Sequence, residues 1–194
     1  HGTSRGLGDV YKRQIYANGG FGRKEIFPIS DIDISIVEKN KSNNFKNLEE
    51  FISYLWDQGY KVGHSVRSIS DIKKISKKDI REFTSYLTRR PIISTNEMDN
   101  KINYALSKLW SKNNFYNTKF IEQQQRHSKF FSPAFNLEPD LKESPGGLRD
   151  FQSALWILQH CFDLRTTSEI SKSKLFNNEL NDALDAYNFI KSLR

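Results

Sequence analysis

Asp31 and Asp33 stand one residue apart in the run Asp31-Ile32-Asp33-Ile34-Ser35-Ile36, and no other feature constrains the fold of this chain as tightly. Side chains alternate across a strand, so Asp31 and Asp33 take one face while Ile32, Ile34 and Ile36 take the other. The isoleucine face anchors the strand in a core. The acidic face holds two carboxylates roughly 6–7 Å apart at Cα, from about 3.3 Å of rise per residue. Such a pair is a seat for hard divalent cations that bridge to phosphate oxygens. Upstream lies Gly19-Gly20, followed by Phe21-Gly22-Arg23-Lys24-Glu25. Glycines let backbone N–H groups approach a phosphate closely, and the N-terminus of a following helix favours negative charge.

At 194 residues the chain is long enough for one large domain or two small ones with a real core. Its 37% hydrophobic and 13% aromatic content describes a folded protein. No apolar run approaches the length of a membrane span, so no membrane partner is expected. Cys161 is the only cysteine. An internal disulfide is thereby excluded, which suits a reducing, cytoplasmic location. Cys161 lies in an apolar helical stretch and reads as a packed residue. Residues His1–Gln14 lack periodicity and an apolar core, and they read as an adaptor joined at Ile15. They hold +2 of the net charge of +7, leaving +5 for the rest. That modest excess fits a protein that handles triphosphates or an acidic partner. No basic stripe interleaved with aromatics points to nucleic acid.

Along the chain, Ile15–Ala17 reads as the end of a truncated first strand and Asp31–Val37 as the second. Asn43 or Asn44 caps a helix to about Asp57, with Phe45, Leu48, Phe51, Ile52, Leu55 and Trp56 at helical spacing. Gly59 closes it. Tyr60–Arg67 alternates like a third strand, Asp71–Leu87 reads as one helix, and Pro91-Ile92-Ile93 as a short edge strand. Helices follow at Met98–Lys112 and Asn114–Phe131, then a loop over Ser132–Gly147, then helices at Leu148–Phe162 and Leu180–Leu193. The fold class is therefore α+β: a small mixed-sheet head over residues 15–95, then an α-helical domain over residues 96–194. The last helix is still open at Arg194, the pattern of a fragment.

The spacing of Gly19-Gly20 and Asp31-Ile32-Asp33 resembles the signature of the nucleotidyltransferase superfamily that includes DNA polymerase β, with ten residues between Gly20 and Asp31. Further blocks narrow the resemblance: Tyr54-Leu55-Trp56-Asp57, Val62-Gly63-His64-Ser65-Val66-Arg67, Glu122-Gln123-Gln124-Gln125-Arg126-His127, and above all Phe135-Asn136-Leu137-Glu138-Pro139-Asp140 with Ser144-Pro145-Gly146-Gly147-Leu148-Arg149-Asp150. Together they look like the amino-terminal half of the bacterial PII uridylyltransferase/uridylyl-removing family. The resemblance implies transfer of UMP from UTP to a tyrosine of the PII signal protein, releasing pyrophosphate. It implies that Asp31 and Asp33 are catalytic and hold Mg²⁺, two ions, against the triphosphate. It implies that Gly19 and Gly20 cradle the phosphates, with Arg23 or Ser30 as a further contact. The hydrolase and glutamine-sensing domains of the full-length family would begin beyond Arg194.

Other residues carry two readings. Gly146, Gly147 and Arg149 either bring a helix N-terminus and a guanidinium to the nucleotide or form a Gly-rich helix entry, with Arg149 paired to Asp150 or Glu138. His64 is more simply a neutral strand residue than a catalyst. Arg126 and His127 either face a cleft or complement a helix C-terminus. Two departures stand out. Asn18 occupies a position where the family usually has an apolar residue. A third carboxylate, common in the superfamily, is absent where Thr88 stands, with Asp71, Glu82, Glu138 and Asp140 as candidate substitutes. Alternative functions are an ATP-using transferase acting on a protein or small hydroxyl, a non-catalytic module that docks PII or a nucleotide, and, more remotely, a nucleic-acid polymerase.

Overall fold

A computed structural model describes residues 13–28, 30–38, 46–130, 140–173, 175–176 and 179–194. The expected caps Asn43 and Asn44, the block Phe135–Pro139 with its Glu138, and the adaptor up to residue 12 lie outside these. The chain divides into two compact units, His1–Trp110 and Ser111–Arg194.

The first unit is built on a four-stranded sheet in the order β3-β2-β1-β4. Strand β1 spans Arg13–Ala17, and a single turn of helix, α1 (Gly19–Gly22), leads away from it. Strand β2 (Ile32–Glu38) returns antiparallel to β1. Helix α2 (Lys46–Asp57) then carries the chain to β3 (Val62–Ser68), which lies parallel to β2. Helices α3 (Ile69–Lys78) and α4 (Ile80–Leu87) lead to β4 (Arg90–Ile93), antiparallel to β1. The sheet is mixed, as expected. Its isoleucine face packs as the alternation demands: Ile34 and Ile36 of β2 join Ile52 of α2 and Val62 of β3 in one apolar cluster. Arg13 and Gln14 fold as part of β1, opposite Glu38 and Val37, so the strand starts before the expected junction at Ile15. Arg13 also pairs with Glu38 at 2.7 Å.

The helix expected over Asp71–Leu87 is two helices. Asp79 adopts an extended backbone, closes α3 and caps α4 by accepting the Arg81 amide at 2.8 Å. Helix α3 also starts earlier than expected, at Ile69. Ser68 and Asp71 form a reciprocal capping box there, satisfying two otherwise unpaired amides. Helix α5 (Asn96–Leu106) belongs to the first unit, whereas the sequence placed it at the head of the helical domain. Its Asp99 accepts the Tyr16 hydroxyl at 2.6 Å, and Arg89 donates to Asp99 and Asn103, which ties α5 to β1 and the start of β4.

The second unit consists of helices α6 (Lys112–Lys129), α7 (Leu148–Phe162), α8 (Thr167–Lys172) and α9 (Glu179–Ser192). The Phe115 ring of α6 meets His160 of α7 at a tilt, with centroids 4.5 Å apart, and Phe151 of α7 stacks on Tyr187 of α9 at 4.0 Å. Cys161 is buried among these helices, and burial pushes its thiol up, in keeping with a packed residue.

Candidate active site

The paired glycines and the Asp-Ile-Asp strand meet. The Asn18 amide donates to the carbonyl of Asp33 at 2.9 Å, and Gly22 and Arg23 donate back to Asn18 and Gly19, closing α1 over the end of β2. Gly19 has φ +53°, a left-handed conformation that side chains resist. A Cβ at Gly19 would stand 2.6 Å from Asp33 Oδ2, and one at Gly63, the register partner of Asp33 on β3, 3.0 Å from Oδ1. The Asp33 carboxylate therefore lies in a slot left by two absent side chains. Asp31 directly precedes β2, and both aspartates are exposed. The two other loop candidates are held by their neighbours: Arg23 pairs with Glu25 at 2.8 Å, and the Ser30 hydroxyl accepts the Phe27 amide at 3.0 Å.

Beside Asp33 opens a polar cavity of about 510 Å³, within the range of small-ligand pockets. Strand β3 contributes Gly63, His64, Ser65 and Arg67, and helix α4 contributes Arg81, Glu82, Ser85 and Tyr86. Two ion pairs line it. Arg67 donates to both oxygens of Glu82, at 2.6 and 3.1 Å, and this pairing raises the affinity of the guanidinium for its proton. Asp79 pairs with Arg81 at 3.0 Å, and the Arg81 hydrogen bond holds its carboxyl below the usual range. Asn18 lines the same cavity, and its amide nitrogen donates to Ser85 at 2.9 Å. A polar partner on α4 accounts for a polar residue at this position. His64 is exposed at the rim, 6.0 Å from the Trp56 ring.

Thr88 offers no carboxylate, and its hydroxyl is spent on the Thr84 carbonyl at 3.0 Å. Of the candidate substitutes, Asp71 is committed to its capping box and Asp140 accepts the amides of Lys142 and Glu143 in a turn. Glu138 lies outside the described residues. Of the three described candidates, Glu82 shares the cavity with Asp33. Among the described residues, no three His, Cys, Asp or Glu side chains converge as a metal-holding group. The sequence reading missed Gly63, Arg67, Arg81 and Ser85 as site residues. An isolated glycine inside a strand pattern signals close approach by another group, and that signal was present at Gly63.

In the second unit the Gly146-Gly147 block is a tightly braced helix entry. The amides of Leu148 and Arg149 donate to the carbonyls of Leu141 and Lys142 at 3.0 and 2.9 Å, so the first turn of α7 already has acceptors. A Cβ at Gly147 would lie within 3.0 Å of three carbonyl oxygens. Arg149 pairs with Glu143 at 3.3 Å and Gln152 at 3.0 Å. The hub is Asp150, which accepts from Gly146 N at 2.8 Å, Gln123 at 3.0 Å, His127 at 2.9 Å and Arg126. Burial alone would raise the Asp150 pKa, but these donors outweigh it and hold the carboxyl below its ordinary value. Arg126 and His127 thus serve this hub, and α6 is fastened to the start of α7.

Residues 114–194 match the family described as GlnD PII-uridylyltransferase. The chain is 34% identical over 191 residues to a bifunctional uridylyltransferase/uridylyl-removing enzyme of Aliivibrio fischeri (strain MJ11), covering 96% of this chain and 22% of that protein. It is 37% identical over 172 residues to the enzyme of the same name from Haemophilus influenzae (strain PittEE), covering 87% and 20%. The corresponding enzyme of Hydrogenovibrio crunogenus is 34% identical over 183 residues, covering 93% and 21%. The chain spans about a fifth of the length of these curated relatives. Among solved structures it is similar, at 16% identity and a TM-score of 0.36, to a toxin–antitoxin crystallised with AMP-PNP, covering 65% of this chain and 93% of that one.

Proposed function

We propose that this chain carries out nucleotidyl transfer, moving UMP from UTP to a tyrosine of the PII protein, because residues 114–194 match the PII-uridylyltransferase family and almost the whole chain is similar to bifunctional uridylyltransferase/uridylyl-removing enzymes. The tyrosine oxygen bonds to the α-phosphorus, the α–β anhydride bond breaks, and pyrophosphate leaves while the hydroxyl proton passes to solvent. The observation that carries this reading is the lodging of the Asp33 carboxylate against Gly19, 2.6 Å from where a Cβ would be. That contact joins a carboxylate suited to cations with a backbone turn suited to phosphate.

Asp31 and Asp33 fit Mg²⁺. They are exposed carboxylates one residue apart, and Mg²⁺ is held by one or two carboxylates with water and phosphate oxygens supplying the rest. When bound, the ions neutralise the triphosphate and favour the ionised acceptor hydroxyl. The protein's own contribution is positioning and preorganised charge. Gly19 and Gly63 leave room for Asp33, and the Arg67–Glu82 and Asp79–Arg81 pairs give the adjoining cavity fixed donors and acceptors for a polar substrate.

A second reading, a nucleotide- or PII-binding module without turnover, is favoured by one observation: Thr88 supplies no carboxylate and its hydroxyl is turned to the helix. The deciding experiment is transfer of labelled UMP to purified PII with Mg²⁺, ATP and 2-oxoglutarate present, comparing UTP with ATP as labelled donor. Label from UTP supports the transferase, and label from ATP alone replaces the donor. A folded sample that binds nucleotide but transfers none supports the binding module.

A further inference from the structure

A second concavity in the first unit lies away from the residues of the Asp33 cavity and has different chemistry. It is a groove of about 820 Å³ between α3 and α5. Lys73 and Lys77, one turn apart on α3, form one wall, and Lys101 and Lys108 stand on the other side. Ile69, Ala105 and Leu109 add apolar surface between them, and Tyr104 stands above it, 76% exposed. The inner faces of both helices are satisfied by the core, with Ile72 of α3 and Ile102 of α5 fully buried. The groove is therefore left over after folding and is not a gap in the core.

Its charge is one-sided. Lys101 is paired to Glu97, one turn away on α5. Among the described residues Lys73, Lys77 and Lys108 have no ion pair. Glu97 is the one acidic side chain in the lining, so the lining carries a net +3 from four lysines and one glutamate. Lysine stems cover apolar surface while their ammonium heads stay in water, which gives an apolar floor with a cationic rim. The trough between two helices has the form that receives a third helix by its apolar face, anchored at i, i+3, i+4 and i+7. A nucleic-acid strand would use the lysines but gain little from an aliphatic floor, since bases stack on several aromatic rings in series and only Tyr104 is offered.

We propose that the α3–α5 groove docks an amphipathic helix of a partner protein whose apolar stripe is flanked by Asp or Glu. The stripe covers Ile69, Ala105, Leu109 and Tyr104, and the acidic flanks meet Lys73 and Lys77 on one side and Lys108 on the other. The proposal is independent of the transferase reading, because it uses no residue of the Asp33 cavity.

The test is fluorescence anisotropy of the 194-residue chain with two labelled 16-residue peptides of the same Leu/Glu/Ala composition. One has Leu at i, i+3, i+4 and i+7, and the other is scrambled to remove the stripe. A 16-nucleotide single strand serves as competitor. The amphipathic peptide is expected to bind at least about tenfold more tightly than the scramble, and more weakly as salt rises from 50 to 300 mM. The K73E/K77E double variant should lose at least about tenfold in affinity. Y104A, at a side chain mostly in water, and A105R, which fills the floor while adding positive charge, should weaken the peptide without weakening the oligonucleotide. Melting curves identify any variant that fails to fold, and Y104A removes no buried group. Equal binding of the two peptides, stronger binding of the oligonucleotide, or indifference to both Y104A and K73E/K77E would overturn the proposal.

Discussion

At the scale of single residues, the site rests on what two positions lack. Gly19→Ala places a Cβ 2.6 Å from Asp33 Oδ2 at a residue with φ +53°. It should cost about 1–2 kcal/mol of stability, read by thermal melting, and should also depress transfer by displacing the carboxylate. Gly59→Ala is the control, with φ +83° but nothing within 4 Å of the added atom. It should carry the backbone penalty and leave transfer intact. The double variant D31N/D33N should lower transfer by three or more decades with an unchanged melting temperature, because both side chains are exposed. Residual transfer near that of the parent chain would remove these residues from the active site. Much of this was legible beforehand: the glycine pair and the alternating Asp-Ile-Asp strand are local signals. The cavity wall was not. Arg67 and Glu82 are fifteen residues apart, and only the packing of α4 beside β3 brings them together.

At the scale of elements, strands and long helices follow from periodicity, and the misreadings fall at caps. Ser68 with Asp71 and Thr166 with Glu169 are both Ser/Thr-x-x-acid signatures, yet α3 was expected to start late and α8 was not expected. The break at Asp79 carries neither Gly nor Pro, but Asp79 with Glu82 three residues on is the same kind of start signal, this time for α4. Ser68→Ala should cost about 1 kcal/mol, measured by denaturant unfolding. Asp150 makes a pH prediction. Its folded pKa lies below the unfolded value of about 3.9, so its contribution is fully present above that value and is lost as pH falls through the folded pKa. Between pH 5 and pH 3 the parent chain should lose more melting temperature than D150N does. At pH 7, D150N should be less stable by about 2–4 kcal/mol, since it leaves Arg126 without its nearest carboxylate.

At the scale of the whole molecule, two compact units divide after Trp110. The family match over residues 114–194 lies entirely in the second, whereas the glycine–aspartate motif lies in the first. D150N should speed amide exchange in α6 and α7, which hydrogen-exchange mass spectrometry measures directly. The position of the division was not legible in composition. The α5 helix looks like its helical neighbours, and its membership of the first unit is decided by the tertiary bonds of Asp99 to Tyr16 and Arg89.

The strand order β3-β2-β1-β4 has a consequence for how the chain is made. Of the described strands β1 comes first in the chain, yet it sits inside the sheet, and its second neighbour β4 follows roughly seventy residues later. At roughly 5–20 residues per second of synthesis, one row of β1 amides and carbonyls waits about 4–14 s for its partner. For that interval the nascent sheet ends in an open edge that another chain could cap.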